Sequence, residues 1–359
     1  MTDNFLKEIK SQPQALEDTL QYIVGEGKPQ FLKIRDFIKK GGITKLIFTG
    51  MGSNYISSYL PYYILNQYGI AVEMREAGEF LFNTFPRVKQ TCFKDTGIII
   101  ISPSGESEEI RELLRDINSI SIADKPLTIG ITNNPDSYLA YMTELQIFMN
   151  FDEEVSVTSK SYVCTLLMLY VMAKTIIGEF FTSEEEKQGV EDVLREIREL
   201  LQDQKQINKI WKDLVPAFGE KINFLEFLSS GSSLTTAHQA ALYFKEIVKS
   251  YSEANSISTF RHGGIECLNE NTNMVILSSD KDNFELDIQF IENLVKKWAF
   301  GKLLHITNQD FDEKVKKLHD NSKIFTYKHG IKDPHLAPIM EIIILQLLFY
   351  KIAEKKGID

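Results

Sequence analysis

The sequence predicts an α/β fold built twice, in two similar halves that are each a parallel sheet flanked by helices in three layers. Short apolar runs alternate with amphipathic stretches, which is typical of βαβ units. The same pattern restarts in the second half of the chain. At 359 residues the chain also exceeds the size that one hydrophobic core usually serves.

The first half carries this alternation from Lys45 to Phe148, with apolar runs KLIFTG, AVEMR, GIIIISPSG, PLTIGITNN and LQIFMN. The run from Gly97 to Ser102 contains four consecutive isoleucines. A strand with one solvated face would alternate polar and apolar residues, so this run predicts a central parallel strand covered on both faces. Helices are therefore expected on each side of the sheet.

A helical region separates the halves. The stretch from Ser159 to Phe180 is apolar, and the charged stretch after it has the leucine and isoleucine spacing of a surface helix. The strand pattern then restarts with INFLEFLSSGSS, NMVILSSD, KLLHITN and KIFTY, with helices expected at about Thr235 to Lys249 and Leu286 to Trp298. The predicted domains are an N-terminal helical segment at 1–40, a first half at 41–205 and a second half at 206–359.

Composition narrows the class of protein. Cys92, Cys164 and Cys267 have no metal-ligand spacing, and their odd number argues against a disulfide framework, so a reducing compartment is expected. A formal charge of −10 disfavours a nucleic-acid or anionic-membrane surface. The N-terminus lacks the apolar stretch of a signal peptide, which indicates a cytoplasmic location.

Two apolar windows, Cys164 to Gly178 and Ile339 to Ala353, are candidates for membrane spans. Lys174 interrupts the first, Glu341 and Gln346 interrupt the second, and both are shorter than the roughly 20 residues that cross a bilayer. We expect both to be buried helices of a soluble protein.

Three segments place hydroxyl groups and glycine where a strand passes into a helix: Gly50 to Asn54, Ser102 to Ser107 and Thr158 to Ser161. At such a junction backbone N–H groups and the helix dipole face a ligand, and hydroxyls add further donors. The segments therefore predict a sugar-phosphate site at the carboxyl ends of the strands, with no arginine clamp. The candidate binding residues are Gly52, Ser53, Asn54, Ser102, Ser104, Gly105, Ser107, Thr158, Ser159 and Lys160.

The same residues are also ordinary helix caps, which is the alternative for each segment taken alone. A nucleotide site is less favoured, because GMGSNY lacks the third glycine of GxGxxG and SGES has no Walker-type GK pair. No cofactor signature is present, and no cofactor is expected.

Glu246 and His262, sixteen residues apart, supply a carboxylate and an imidazole. An aldose–ketose interconversion needs one group to move a proton between C1 and C2 and another to assist ring opening, and neither role needs a metal. Apolar neighbours are expected to raise the pKa of Glu246, and the two glycines after His262 suit a turning backbone. The alternative for Glu246 is a solvated helix face paired with Lys245 or Lys249.

The remaining histidines show no ligand spacing, and a GxSxG elbow is absent. Four of them are assigned to structure, and His335 is kept as a reserve candidate. The four are His238, His305, His319 and His329.

These segments resemble the SIS (sugar isomerase) family, in particular its tandem-domain branch, which includes the isomerase portion of glucosamine-6-phosphate synthase and the fructosamine-6-phosphate deglycases. Gly52-Ser53-Asn54 matches the family's G-T/S-S loop, Ser102 to Ser107 its S-Q-S-G-E-T/S loop, and Val157 to Lys160 its V-A/S-S-T/S-K segment. In the family these loops surround the sugar phosphate. Glu246 matches the glutamate of the K-E-I/L helix, and His262 the histidine of the F/L-K/R-H-G-P turn.

The resemblance implies a homodimer in which His262 reaches the site of the partner subunit, with catalysis by Glu246 and His262. Pro103 stands where the family has glutamine, Gly264 where it has proline, and Tyr243 where the synthase has lysine. No glutaminase activity is expected, since residue 2 is threonine and not cysteine. The chain ends at KKGID, before the tail that in the synthase carries a Schiff-base lysine.

The leading hypothesis is an enzyme that acts on an amino-sugar phosphate or a fructosamine 6-phosphate by enolisation, as a deglycase, a deaminase or an aldose–ketose isomerase. The alternative is a non-catalytic sugar-phosphate sensor or regulatory subunit, which would need the loops but not Glu246 with His262. Mutase or epimerase chemistry on the same ligand stays open.

Overall fold

The computed structural model describes residues 2–88, 93–152, 154–155, 157–180, 184–218 and 222–358, so Cys92 lies outside the described residues. The strands are β1 (Lys45–Gly50), β2 (Ala71–Glu76), β3 (Thr96–Ile101), β4 (Leu127–Thr132), β5 (Leu145–Phe148), β6 (Phe224–Ser229), β7 (Tyr251–Ser256), β8 (Asn273–Ser278), β9 (Leu303–Thr307) and β10 (Ile324–Lys328).

The helices follow the same alternation. They are α1 (Thr2–Val24), α2 (Lys28–Lys40), α3 (Ser53–Ser57), α4 (Tyr59–Gln67), α5 (Ala77–Glu79), α6 (Phe85–Val88), α7 (Glu108–Asn118), α8 (Tyr138–Met142), α9 (Lys160–Ile177), α10 (Glu184–Gln202), α11 (Gln204–Leu214), α12 (Leu234–Ile247), α13 (Ile257–Phe260), α14 (Lys281–Lys297), α15 (Glu313–His319) and α16 (Ala337–Lys355). A π-helical turn covers Phe80–Thr84, and 3₁₀ turns cover Val215–Phe218, Gly231–Ser233 and Gly264–Cys267.

Each half contains a five-stranded sheet, and the two sheets have the same topology. The strand order is β2-β1-β3-β4-β5 in the first and β10-β9-β8-β6-β7 in the second, which is the same order taken from the opposite edge. All the described strand pairs are parallel. The predicted α/β fold with two similar parallel-sheet halves is therefore confirmed.

Strand β7 is a strand that the sequence analysis did not predict. Its sequence, YSEANS, has no apolar run, and within the strand only Ser252 is buried. It pairs with β6 alone, at the edge of the second sheet. An edge strand needs little burial, so the signal on which the prediction depended is missing there.

The charged region between the halves forms two helices, α10 and α11, where the sequence suggested one long surface helix. The chain breaks at Asp203, whose backbone is extended and whose carboxylate accepts a hydrogen bond from Lys205 N at 2.8 Å. Asp203 thereby caps the N-terminus of α11, because its side chain accepts from a first-turn N–H group that has no acceptor within the helix.

The apolar windows are core helices, as predicted. In β3 the four isoleucines Ile98 to Ile101 are fully buried, and α9 and α16 are buried along nearly their whole length. Among the described residues α9 is the one helix with the length and hydropathy of a membrane span, and 89% of it is buried inside the structure. This burial is what a core helix shows.

The chain divides into two compact units that exchange short segments. One unit comprises residues 14–154 and 160–184, and the other comprises 1–13, 155–159 and 185–359. The first contains sheet β1 to β5 and the second sheet β6 to β10. The domain boundaries at residues 40 and 205 stay a prediction.

Two stacked histidines lie within the second unit. His305 is fully buried, its Nδ1 lies 2.8 Å from His319 Nε2, and His319 Nδ1 lies 2.8 Å from the carbonyl oxygen of Val315. Because a carbonyl only accepts, His319 carries its proton on Nδ1 and His305 donates to His319 Nε2. Burial, reinforced by the neighbouring imidazole, lowers the pKa of His305 to about 3.

We expect this pair to make the fold sensitive to acid. A histidine with a pKa near 6.5 when unfolded and about 3 when folded binds fewer protons in the folded state. Its stabilising contribution is therefore present above pH 6.5 and is lost as the pH falls. Between pH 7 and 5.5 the loss is about 1 kcal/mol. Urea unfolding of the parent and of His305→Asn at both pH values measures it.

His305→Asn should be less stable at pH 7 but should lose about 1 kcal/mol less on acidification. Substitution of the exposed His262 by Asn is the control, because it removes an imidazole that the fold does not bury. Equal slopes for the parent and His305→Asn would contradict the assignment.

Candidate functional site

The first sheet has its topological switch point between β1 and β3, because β2 lies on one side of β1 and β3 on the other. Gly50 and Ile101 end these strands as register partners. A Cβ at Gly50 would lie 2.9 Å from the carbonyl oxygen of Ile101, so only glycine allows the two strand ends to approach so closely. The turns from Gly50 to Asn54 and from Ser102 to Ser107 therefore leave the sheet side by side.

In the first of these turns Gly52 is exposed and has a φ of +52°, in the left-handed region that glycine tolerates. Ser53 begins α3, and Asn54 N donates to the carbonyl oxygen of Met51 at 3.0 Å. The side chain of Asn54 forms no hydrogen bond with any other residue that the structure describes.

The second turn uses its serines as acceptors of backbone hydrogen bonds. Ser102 Oγ accepts from Gly105 N at 3.2 Å, and Ser104 Oγ accepts from Glu106 N at 3.3 Å. A hydroxyl that accepts still has its own proton to donate. Ser107, which precedes α7, does not cap that helix with its side chain. Neither Ser102 nor Ser104 donates its proton to another residue in the part of the chain that the structure describes, so both hydroxyls are available to a ligand.

Gly105 holds this turn against the segment after β4. Its φ is +65°, and a Cβ there would lie 2.3 Å from Ser137 Oγ, so no other residue fits. The carbonyl oxygen of Pro103 accepts from Thr132 Oγ1 at 3.0 Å and from Asn133 N at 2.9 Å. Pro103 thus takes part in the turn through its carbonyl group.

Glu106 fixes the far end of the turn. It pairs with Arg111, and its Oε1 accepts from Tyr138 N at 2.8 Å. Both hydrogen bonds lower the pKa of Glu106, and the one from Arg111 has the larger effect. The arginine is thereby committed to a carboxylate of the protein.

The third predicted segment passes from one compact unit to the other. Thr158 and Ser159 belong to the unit of the second sheet, and Lys160 begins α9 in the unit of the first. Ser159 and Lys160 are buried, and Lys160 Nζ lies 2.8 Å from Asp152 Oδ1. The carbonyl oxygen of Thr158 accepts from the hydroxyl of Tyr243.

Glu246 lies half-buried near the end of α12. Burial raises the pKa of its carboxyl group, and the positive charge of Lys249 opposes this. Within the described part of the chain its side chain has no hydrogen bond and no ion pair with Lys245 or Lys249. A carboxyl group with a raised pKa and no internal donor has the properties of a general base.

His262 lies on an exposed turn of the same unit, and its backbone N–H donates to the carbonyl oxygen of Thr259 at 3.0 Å. A Cβ at Gly264 would lie 2.5 Å from the ring of Phe260, which explains why glycine stands there. No described contact joins His262 to Glu246.

The second sheet has an equivalent turn at its own switch point, between β6 and β8. Gly231 again has a positive φ, of +63°. The hydroxyls of this crevice, however, already donate to carboxylates of the protein. Ser233 and Ser279 donate to Glu341 Oε1 at 2.8 and 2.6 Å, and Thr236 donates to Glu341 Oε2 at 2.7 Å.

Two further contacts complete this cluster. Ser230 Oγ donates to Asp287 Oδ1 at 3.1 Å, and His329 Nε2 lies 3.0 Å from Ser279 Oγ. Burial raises the pKa of Asp287 to about 7 and also raises that of the fully buried Glu341, against the hydrogen bonds of their hydroxyl donors. The reserve candidate His335 lies beside it, with Nδ1 2.7 Å from Ser232 Oγ.

Sequence reasoning did not find this cluster. It treated Glu341 only as an interruption of an apolar window. A carboxylate and a glutamine inside an otherwise apolar helix were the available signal, because a buried charge requires donors. The donors to Glu341 lie 62 to 108 residues away in sequence, and the donor to Gln346 lies 334 residues away, so spacing could not identify them.

The structure thus brings together seven of the predicted residues at the first switch point, namely Gly52, Ser53, Asn54, Ser102, Ser104, Gly105 and Ser107. These seven residues belong to the unit of the first sheet, whereas Glu246 and His262 belong to the unit of the second. No group of three or more potential metal ligands occurs among the described residues. The functional assignment of all these residues stays a prediction.

Comparison with known proteins shows what this chain is similar to. Residues 43–174 match the SIS domain family. The isomerizing glutamine–fructose-6-phosphate aminotransferases of Pyrococcus horikoshii and Clostridium acetobutylicum are 25% and 26% identical to this chain over 354 and 365 residues. These alignments cover 98% and 99% of the chain but 55% and 56% of the relatives, so it spans about half their length.

Solved structures share the fold over nearly the full chain. The C-terminal domain of glucosamine-fructose-6-phosphate aminotransferase from Francisella tularensis has a TM-score of 0.81 at 21% identity, covering 99% of this chain and 96% of that one. Tagatose-6-phosphate ketose/aldose isomerase from Escherichia coli has a TM-score of 0.74 at 13% identity, covering 98% and 92%.

The filled crevice of the second sheet should be a major stabilising element. Glu341→Leu leaves three buried hydroxyls without their acceptor, so we expect the free energy of unfolding to fall by roughly 2–4 kcal/mol. Urea denaturation measures the change. The control is Glu354→Leu on the same helix, where the exposed side chain pairs only with Lys351, and its effect should stay within about 0.5 kcal/mol. Equal effects of the two substitutions would contradict the structural role of Glu341.

Proposed function

We propose that this chain is a phosphosugar enzyme that acts by enolisation. The match of residues 43–174 to the SIS domain family, the second sheet of the same topology and the similarity to the glutamine–fructose-6-phosphate aminotransferases support this proposal. The substrate is an amino-sugar phosphate or a fructosamine 6-phosphate. The reaction is deglycation, deamination or aldose–ketose isomerisation.

The proposal depends on a difference between the crevices at the two switch points. The hydroxyl groups of the second donate to a carboxylate of the protein, whereas Ser102 and Ser104 of the first do not. At the second switch point Ser233, Thr236 and Ser279 donate to Glu341. At the first, Ser102 and Ser104 act as acceptors and keep their protons. A phosphate dianion has only acceptor oxygens, so it suits the first crevice, whereas the second lacks donors because Ser233, Thr236 and Ser279 already donate to Glu341. The proposal therefore gives each chain one sugar-phosphate site.

Glu246 supplies the base in the proposed reaction. Its carboxylate removes the proton from the carbon next to the carbonyl or imine of the open-chain sugar, and the C–H electron pair forms the new C=C bond. The C=O or C=N electron pair moves onto oxygen or nitrogen, which takes up a proton from solvent and gives an enediol or enolamine; the adjacent hydroxyl gives up its proton when the new carbonyl group forms. Return of the proton to the neighbouring carbon completes an isomerisation, and its raised pKa suits both transfers. His262 assists ring opening by moving a proton between the ring oxygen and the C1 or C2 hydroxyl.

The names of the fold relatives support this chemistry. Glutamine–fructose-6-phosphate aminotransferase and tagatose-6-phosphate ketose/aldose isomerase both act, by their names, on six-carbon ketose phosphates. An aldose–ketose interconversion needs two proton-transfer groups, and Glu246 with His262 is proposed to supply them.

A thermal-shift screen with fructose 6-phosphate, glucosamine 6-phosphate, tagatose 6-phosphate and fructoselysine 6-phosphate tests the binding step, since a ligand of the folded state raises the Tm. Turnover of the compound that binds then tests the chemistry. Glu246→Gln should lower kcat at least about 100-fold, and His262→Ala should also lower it, because each removes a proton-transfer group.

Glu270→Gln, an exposed carboxylate of the same unit, is the matched control and should keep the parent's kcat. Full activity of Glu246→Gln would overturn the mechanism. Binding without turnover of any compound would favour a sugar-phosphate sensor. Absence of any shift would overturn the proposal as a whole.

We further propose a homodimer in which His262 acts in the partner's site. Mixing inactive Glu246→Gln and His262→Ala chains tests this, because a heterodimer then contains one intact site only if the two residues come from different subunits. With random exchange of subunits the expected recovery is about a quarter of the parent's activity. No recovery, with subunit exchange verified by mass, would place both residues in one subunit.

A further inference from the structure

Tyr243 makes a buried contact with the third predicted segment. Its side chain is fully buried on α12, and its hydroxyl donates to the carbonyl oxygen of Thr158. Both residues belong to the same compact unit. Where the synthase family has a charged lysine, this chain thus has a neutral hydroxyl committed to the backbone of the segment.

A chain of buried hydrogen bonds extends behind this tyrosine. Gln346 Nε2 donates to the hydroxyl oxygen of Tyr243 at 3.3 Å, and Gln12 Nε2 donates to Gln346 Oε1 at 2.6 Å. Gln12 and Gln346 are fully buried, on α1 and α16. Gln346 and Tyr243 each accept one hydrogen bond and donate the next, so the protons along this line all point towards Thr158.

Helix α1 also contacts the chain three residues before Thr158. Val155 N donates to Glu8 Oε1 at 2.7 Å, and Glu8 is 8% exposed. Glu8 and Gln12 lie one turn apart on α1, so one helix face contacts Val155 directly and Thr158 through Gln346 and Tyr243. Through Glu8 and Gln12, helix α1 therefore helps to hold both Val155 and Thr158 in place.

We propose that Tyr243 is a positioning residue, which with Gln346 and Gln12 fixes the Thr158 carbonyl group and thereby Thr158 and Ser159, which the proposed function assigns to sugar-phosphate binding. The last step rests on the proposed function. Tyr243 also lies three residues before Glu246 on α12, so the helix that carries the base also sets the segment.

Tyr243→Phe tests this, because it keeps the ring and removes the hydroxyl. The Thr158 carbonyl group and the Gln346 amide then lose their partners inside the protein, and the segment should open more often. We expect amide hydrogen exchange in residues 155–162 to become several-fold faster. We also expect the Kd for fructose 6-phosphate to rise about three- to tenfold, the effect of one lost hydrogen bond, with kcat changed less than about twofold.

Tyr327→Phe is the matched control. Tyr327 lies half-buried on β10 of the same unit, and its hydroxyl has no hydrogen-bond partner among the described residues. This variant should leave exchange and Kd unchanged. Gln346→Met, which removes the donor behind Tyr243 at similar volume, is a second variant and should act in the same direction if Tyr243→Phe folds poorly.

The two readouts separate the steps of the inference. Unchanged exchange in residues 155–162 would overturn the positioning role, whatever the ligand. Faster exchange with an unchanged Kd would overturn the link between this segment and the sugar-phosphate site. A parent protein that binds no sugar phosphate would contradict the proposed function, and exchange would still decide the role of Tyr243.

Discussion

A serine or threonine hydroxyl has one proton to donate, and the destination of that proton distinguishes the two halves of this chain. The sheets share their topology, and both switch points carry a glycine with positive φ in a serine-rich turn. In the second half the protons of Ser233, Thr236 and Ser279 end on Glu341. In the first, backbone N–H groups occupy the acceptor side of Ser102 and Ser104. The same fold thus has one crevice in which Ser102 and Ser104 only accept hydrogen bonds from described residues, the open crevice, and one in which the hydroxyls donate to Glu341, the closed crevice.

The helix after the closed crevice connects this difference to the proposed chemistry. α12 begins at the turn that surrounds Glu341, contributes Tyr243 to the Thr158 segment and ends beside Glu246. A helix with its first turn fixed by a buried carboxylate has a fixed axis, and its later side chains inherit that position. The same helix therefore carries Thr236, a donor to Glu341, in its first turn and Tyr243 and Glu246 near its end.

Local sequence signals predicted the fold well because they report on burial. The isoleucine run of β3 predicted the first sheet, and the restart of the strand pattern predicted the second. The glycine and serine turns indicated where strands end. The same signals failed at β7, where an edge strand has no apolar run to detect. They failed also at Asp203, where a single side-chain contact divides a helix that periodicity alone would continue.

The site could be predicted only as far as its parts are contiguous in sequence. Gly52 to Asn54 and Ser102 to Ser107 are short motifs that the register of β1 and β3 brings together. Glu341 and its three donors lie more than sixty residues apart along the chain, as do Gln12 and Gln346. No spacing rule relates residues that meet only because two helices pack.

The closed crevice also bears on how a duplicated fold diverges. A copy that binds a ligand is constrained by that ligand, whereas a copy whose donors end on its own carboxylate is constrained only by its internal complementarity. Glu341, Ser233, Thr236 and Ser279 can therefore drift only as a group, since a change in one leaves a buried partner unsatisfied. Covariation within this set, and not conservation of each member, is the evolutionary trace that such an arrangement leaves.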